Sequence, residues 1–164
     1  MVGGRPYHLP PITYHLFHVT DSHYRALERM YLGAPINQFF RPSIHIKEGS
    51  AELRMMLRPD MHHAAHATHG AAYFKMLDDA AFFAVQSLVT DTFVVTVSFS
   101  LYLLAPVVDG EMLSSGRVVH QSKRLFIAES IIDLAGKIVA RGSGSFMRSG
   151  GRLDEKIGYR QLDL

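Results

Sequence analysis

The sequence predicts an α+β fold in which a curled sheet wraps one long, almost wholly apolar helix. Three observations lead there. The run from Ala71 to Leu88 has helical length and apolar side chains around most of its circumference. Everything after residue 91 reads as strand, and two strand-like runs come before the helix. A helix that is apolar on nearly every side has to be covered, and a sheet curling around it buries the apolar faces of both. With only one long helix among the strands, a doubly wound arrangement does not fit.

In chain order, Asp21 to Leu32 carries the first helix signals. Asp21 or Ser22 stands at the N-cap, and Tyr24, Leu27, Met30 and Tyr31 follow at helical spacing. Gly33 and Pro35 end it. Ser43–Lys47 and Ala51–Leu57 flank a Glu48-Gly49-Ser50 turn and read as a hairpin closed by Pro59. After a His-rich connector from Met61 to His69 comes the long helix, about 27 Å at 1.5 Å per residue. Lys75, Asp79 and Gln86 form a narrow polar stripe on it, and Asp78 lies off that stripe.

From Phe93 to Ala105 the odd positions Phe93, Val95, Val97, Phe99, Leu101 and Leu103 are apolar, whereas the even ones include Thr96, Ser98, Ser100 and Tyr102. That is the period of a strand with one covered face. Pro106 to Gly110 turns the chain. Met112–Gln121 and Leu125–Asp133 continue as strands, and Ala135-Gly136 turns tightly into Lys137–Met147. The polar tail from Ser149, Gly-rich at its start, is expected to be loosely ordered. The domain reading is an N-terminal extension with a short helix (1–40), a core domain (41–148) and the tail (149–164).

Composition narrows the function. The 164 residues suit one domain, and 48% hydrophobic with 20% charged residues is ordinary for a folded protein. With 17 Lys and Arg against 15 Asp and Glu, the formal charge of +2 argues against a nucleic-acid partner but tolerates a polyanionic small ligand. The absence of Cys rules out disulfides, a thiolate nucleophile and Cys-based metal sites. Met1 to Pro11 has Gly and Pro where a signal segment needs an apolar run, and charges interrupt every run long enough to span a bilayer. A soluble, cytoplasmic protein is expected.

Two features carry chemistry. An ionised carboxylate such as Asp78 in an apolar helix costs several kcal/mol unless paired. Pairing with Lys75 or simple exposure would make it ordinary, and a functional acid is the alternative. The second feature is His69-Gly70 at the helix start. Glycine there lets first-turn N–H groups approach a ligand and hold a developing oxyanion, or the dipeptide merely ends a loop.

The run His69-Gly70-Ala71-Ala72-Tyr73-Phe74-Lys75-Met76-Leu77-Asp78-Asp79-Ala80-Ala81 resembles the signature of hotdog-fold acyl-CoA thioesterases of the phenylacetate-degradation type. There an HG pair is followed, nine residues after the His, by a catalytic Asp on the central helix. Thr96 to Pro106 is similar to that family's next strand, and Ala135 to Gly142 to its final hairpin. The resemblance spans residues 43 to 147. It implies a curled antiparallel sheet around one central helix, hydrolysis of an acyl-CoA, and no metal or organic cofactor. Asp78 would be general base or nucleophile, the Gly70 N–H an oxyanion donor, and His69 would orient the thioester. Thr96 would position water or the carboxylate. It also implies a homodimer or a dimer of dimers, with Asp78 and Thr96 of one chain facing His69 and Gly70 of the other.

Two positions depart from that pattern. His63 stands where the family often has an Asn that helps hold the carbonyl, and imidazole N–H can donate the same bond. Ala71 replaces a second Gly, and its methyl narrows the approach to the carbonyl. Lys123 and Arg124 are candidate CoA phosphate contacts, with Arg117 and Arg148 behind them. Phe82 and Phe83 would serve the core first and the acyl pocket second. Among His62, His63, His66 and His69, spacing of three would put His63, His66 and His69 on one face able to bind zinc if the connector were helical, though its Ala-Thr-Gly context points to a loop. Gly142-Ser143-Gly144-Ser145 lacks the nucleophile elbow of serine hydrolases. The rivals are an acyl-thioester dehydratase or hydratase, a non-catalytic acyl-CoA sensor, and a structural dimerisation domain.

Overall fold

The computed structural model describes residues 21–160. The stretch Met1 to Pro11, read above as lacking a signal segment, lies outside the described residues. In order, the elements are α1 (Asp21–Gly33), α2 (Pro35–Phe40), β1 (Ser43–Lys47), β2 (Ser50–Met56) and a 3-10 turn (Pro59–Met61). Then come α3 (Gly70–Gln86), β3 (Thr92–Leu103), β4 (Glu111–Gln121), β5 (Leu125–Leu134), β6 (Lys137–Arg152) and a second 3-10 turn (Glu155–Ile157). The strands make one six-stranded sheet in the order β1-β2-β4-β5-β6-β3, with every pairing antiparallel. The expected curled sheet around one long helix is thus present. Among the described residues, no helix is long and apolar enough to cross a membrane.

Helix α3 is central because its apolar side chains cover most of its circumference. Ala72, Tyr73, Met76, Leu77, Ala80, Ala81, Phe83, Ala84 and Val85 are all buried. Its alanines let the sheet approach closely, and Gly116 on β4 takes the tightest contact. A Cβ there would sit 2.2 Å from the Ala80 carbonyl oxygen. At the far end, Gln86 is fully buried and clamps α3 to β3. Its amide donates to the Val89 and Thr92 carbonyls at 2.8 and 3.0 Å, and its Oε1 accepts from Val94 N at 2.8 Å. This clamp sets how β3 lies along the helix.

Helix α1 buries His23, Tyr24, Ala26, Leu27, Met30 and Tyr31 as one stripe, and that stripe joins the same core as α3. As expected, the helix ends at Gly33. The short α2 was not anticipated. Pro35, read as a terminator, also suits a first helical turn because its missing N–H would have had no partner there. Asn37 ties the two helices by donating to the Tyr31 carbonyl at 2.6 Å.

Two expectations change. The odd positions of β3 do not all face the core, because the register shifts between Thr92 and Val94 and again between Thr96 and Ser98. A slip of one residue exchanges the two faces of a strand. Val94 is therefore buried, whereas Val95 and Val97 are exposed on an edge strand. The tail, expected to be loose, is instead ordered through residue 160. β6 runs on to Arg152, and Tyr159 is buried with its hydroxyl 2.7 Å from His23 Nδ1. The polar composition concealed one aromatic anchor. The Gly142 and Gly144 positions have a packing reason of their own, since a Cβ at either would lie within 2.5 Å of the Phe99 ring.

Candidate active site

The site begins with Asp78, half-buried on α3. Thr96 Oγ1 on β3 donates to its Oδ1 at 3.0 Å. Burial is the main cause pushing the Asp78 carboxyl up, to about 6. The Thr96 hydrogen bond opposes this, Asp79 adds to it, and Lys75 offsets part. A carboxyl of that kind exchanges a proton near neutral pH and still has free lone pairs. Lys75, the ordinary partner considered for Asp78, is instead committed to Asp79. Its Nζ lies 2.5 Å from Asp79 Oδ2 at the i,i+4 spacing.

Asp78, Thr96 and Phe82 line one cavity of about 780 Å³. Phe82, Phe83 and Phe93 make its apolar floor, with Phe82 and Phe93 ring centroids 5.2 Å apart. Its other walls come from α1 and α2, with Met30, Tyr31 and Ile36 among them, and from the C-terminal segment, with Gly151, Arg152 and Ile157. Sequence reasoning named no residue of these walls as part of the site. The signal was slight: one Tyr at 159 and one His at 23, and only the tertiary fold joins them.

The start of α3 forms a second locus. His69 is the N-cap, and its Nδ1 accepts from Ala71 N at 3.0 Å. Ala72 N bonds to the His69 carbonyl, and among the described residues no hydrogen bond from the Gly70 N–H is found. Packing within the chain does not demand glycine here. A Cβ at 70 would meet Leu103 Cδ1 at 3.5 Å, an ordinary contact. His63 lies close by, its ring centroid 6.4 Å from that of His69, and Ala71 is exposed beside them. Along α3 this locus is about 12 Å from Asp78. The structure therefore pairs Asp78 with Thr96 and groups His63, His69 and Gly70, but one chain does not bring the two sets together.

The remaining candidates lie elsewhere. Lys123 and Arg124 are exposed on the β4–β5 turn, and Lys123 lines a separate depression with Asp91, Ser122 and Arg148. Arg148 is paired with Asp91 and Arg117 with Glu129. Beyond the His63–His69 pair, the connector histidines do not form a metal site among the described residues. His62 Nε2 contacts the Val108 carbonyl at 2.8 Å, and His63 Nδ1 accepts from Ala65 N. Among the described residues, no three His, Asp or Glu side chains are placed to hold a metal ion.

Comparison with known families decides the membership. Residues 66–148 match the model of the thioesterase superfamily, a segment that holds His69, Gly70, Asp78 and Thr96. The chain belongs to the thioesterase superfamily. Its fold is the hotdog fold, shared with solved structures at low sequence identity. One is the PaaI protein of the E. coli phenylacetic acid degradation operon, at 22% identity and a TM-score of 0.73, over 80% of this chain and 96% of that one. A conserved protein of Pseudomonas aeruginosa gives 23% and 0.69, over 74% and 98%. A mutant of the phenylacetic acid degradation protein PaaI of Thermus thermophilus gives 19% and 0.65, over 71% and 100%. No curated protein sequence matches the chain. Superfamily membership supports thioester hydrolysis as the reaction class, with the α1–α2 and C-terminal walls of the cavity lying outside the matched segment.

Proposed function

We propose that the chain hydrolyses an acyl-CoA to the free acid and CoA. The observation that carries this reading is Asp78, a half-buried carboxyl with pKa near 6, held by Thr96 at the edge of an apolar cavity. In the reaction, Asp78 takes a proton from water as the water oxygen bonds to the thioester carbonyl carbon. The carbonyl oxygen becomes an oxyanion held by the Gly70 N–H, with His69 and His63 beside it. The C–S bond then breaks, and the thiolate of CoA leaves with the proton. The acyl group lies against Phe82, Phe83 and Phe93. Lys123 and Arg124 are candidate phosphate contacts, at a distance from this cavity.

A carbonyl carbon and its oxygen are too close together to engage groups about 12 Å apart on one helix. We therefore infer a dimer in which Gly70 of a second copy meets Asp78. The exposed Val95, Val97, Tyr102 and Leu103 on edge strand β3 are suited to that contact. Val97→Lys is expected to shift the protein toward monomer in sedimentation and to abolish turnover in step. A fully active monomer would sink the shared-site reading.

The deciding assay follows free thiol release from short, long and aromatic acyl-CoAs. Turnover of at least one supports the proposal. Binding of CoA esters without turnover would favour an acyl-CoA sensor. The cavity walls make a further prediction about acyl size. Ile157→Trp fills space on the C-terminal wall, so kcat/KM for the bulkiest accepted acyl group falls about tenfold while that for acetyl-CoA changes little. An equal loss on both would mean the acyl group does not reach Ile157.

A further inference from the structure

The carboxylate next to Asp78 is gripped by a helix outside the matched family segment. Asp79 Oδ2 accepts from the Tyr31 hydroxyl of α1 at 2.6 Å and from Lys75 Nζ at 2.5 Å. Lys75 Nζ also lies 5.1 Å from the centroid of the Tyr31 ring and 5.5 Å from that of Phe40, so α1 and α2 enclose it. All three partners are mostly buried: side-chain exposure is 12% for Lys75 and 19% for Asp79, and Tyr31 is 5% exposed. Two donors, one of them a cation, thus converge on one Asp79 oxygen and hold that side chain in place.

We propose that the Tyr31–Asp79–Lys75 cluster is a positioning device for the catalytic carboxylate, fixing the Asp79 carboxylate beside Asp78 so that Asp78 draws a proton from water more strongly. This rests on the reading of Asp78 as general base. Coulomb repulsion between neighbouring carboxylates makes ionising the second one harder, and partial burial keeps that repulsion from being screened away. Lys75 acts the other way on Asp78, but its ammonium is spent on Asp79. Burial, with the Asp79 charge beside it, pushes the Tyr31 phenol well above its usual range, so it stays a donor at every working pH. The other charged groups facing the cavity are Arg29 of α1, Arg152 of β6 and Lys156 of the last 3-10 turn. Asp79 and Lys75 are the charges that act on Asp78.

Asp79→Asn tests this, since the amide keeps an acceptor for Tyr31 and Lys75 but removes the charge. It also frees Lys75 to attract Asp78, so both changes pull Asp78 the same way. The acidic limb of the pH–kcat/KM profile is expected to move down by at least about half a pH unit, roughly threefold more activity on that limb. Carboxyl carbon NMR of Asp78 in protein labelled at aspartate reads the same shift without any turnover. That separates failure of this inference from failure of the hydrolase reading. If Asp79→Asn does not fold, Asp79→Ser carries the test. A midpoint of Asp78 unmoved in the folded variant overturns the proposal, because a purely structural ion pair would change stability and leave the titration where it was.

Discussion

Asp78→Asn is expected to lower kcat/KM for the preferred acyl-CoA by at least about a hundredfold with the fold intact. The amide is the same size and still accepts from Thr96 Oγ1 through its oxygen. What it loses is the ability to take a proton from water. In the wild type the same chemistry makes activity rise as pH increases through about 6, where Asp78 ionises in the folded protein.

The same substitution is expected to stabilise the protein at neutral pH. The folded-state pKa of Asp78 is raised above the value of 3.8 for the free side chain, so the native state binds the proton more tightly than the unfolded chain. The carboxyl therefore favours folding only while protonated. Its contribution is fully present below about 4 and is lost as pH rises through about 6. Asn avoids that loss, giving about 1–2 kcal/mol above pH 6 once solvent screening of a half-exposed group is allowed for. The gain should vanish by pH 4. Urea unfolding of both proteins at pH 7.5 and pH 4, beside thiol release across the pH range, checks the whole set. A mutant with wild-type turnover would remove Asp78 from the chemistry.

Gly116→Ala should be the most damaging single methyl in the core. Its Cβ would meet Ala80 O at 2.2 Å, Ala80 C at 2.3 Å and Ala81 N at 2.7 Å. All three are backbone atoms of α3, so no side chain can rotate out of the way. Either the helix lifts from β4 or the strand bends. Both loosen the packing of Met76, Leu77 and Phe83, at about 3 kcal/mol or more. A fall in Tm of about 10 °C is expected. Activity should fall further than the unfolded fraction explains, because moving α3 separates Asp78 from Thr96. Gly150→Ala is the control, with open space around its Cβ and an expected change within about 0.5 kcal/mol. Equal Tm values for the two variants would mean the α3–β4 contact is more pliable than its geometry indicates.

Period and punctuation made much of this protein legible beforehand. The apolar circumference of residues 71–88 marked the central helix, and α3 occupies Gly70–Gln86. The hairpin of β1 and β2 and the turn at Ala135-Gly136 were equally visible, because turn residues announce themselves locally. Asp78 was singled out as a carboxylate in an apolar helix and Thr96 from the family resemblance, and their side chains meet at 3.0 Å. Composition alone misjudged the tail, since one buried Tyr159 against His23 outweighs a polar, Gly-rich stretch.

By itself, then, the sequence determined the long elements and their order and drew attention to residues at the start and middle of the central helix, since these depend on periods of two and 3.6 and on local turn chemistry. Only the tertiary structure decided which face of β3 is covered, because two register shifts exchange its faces. It alone showed that Tyr31 reaches Asp79 and that α1, α2 and the C-terminal segment wall the cavity beside Asp78. Those contacts join residues far apart in the chain. They form because packing around one buried helix brings α1, α2 and the 149–158 segment to the same face, and no local pattern records such a meeting.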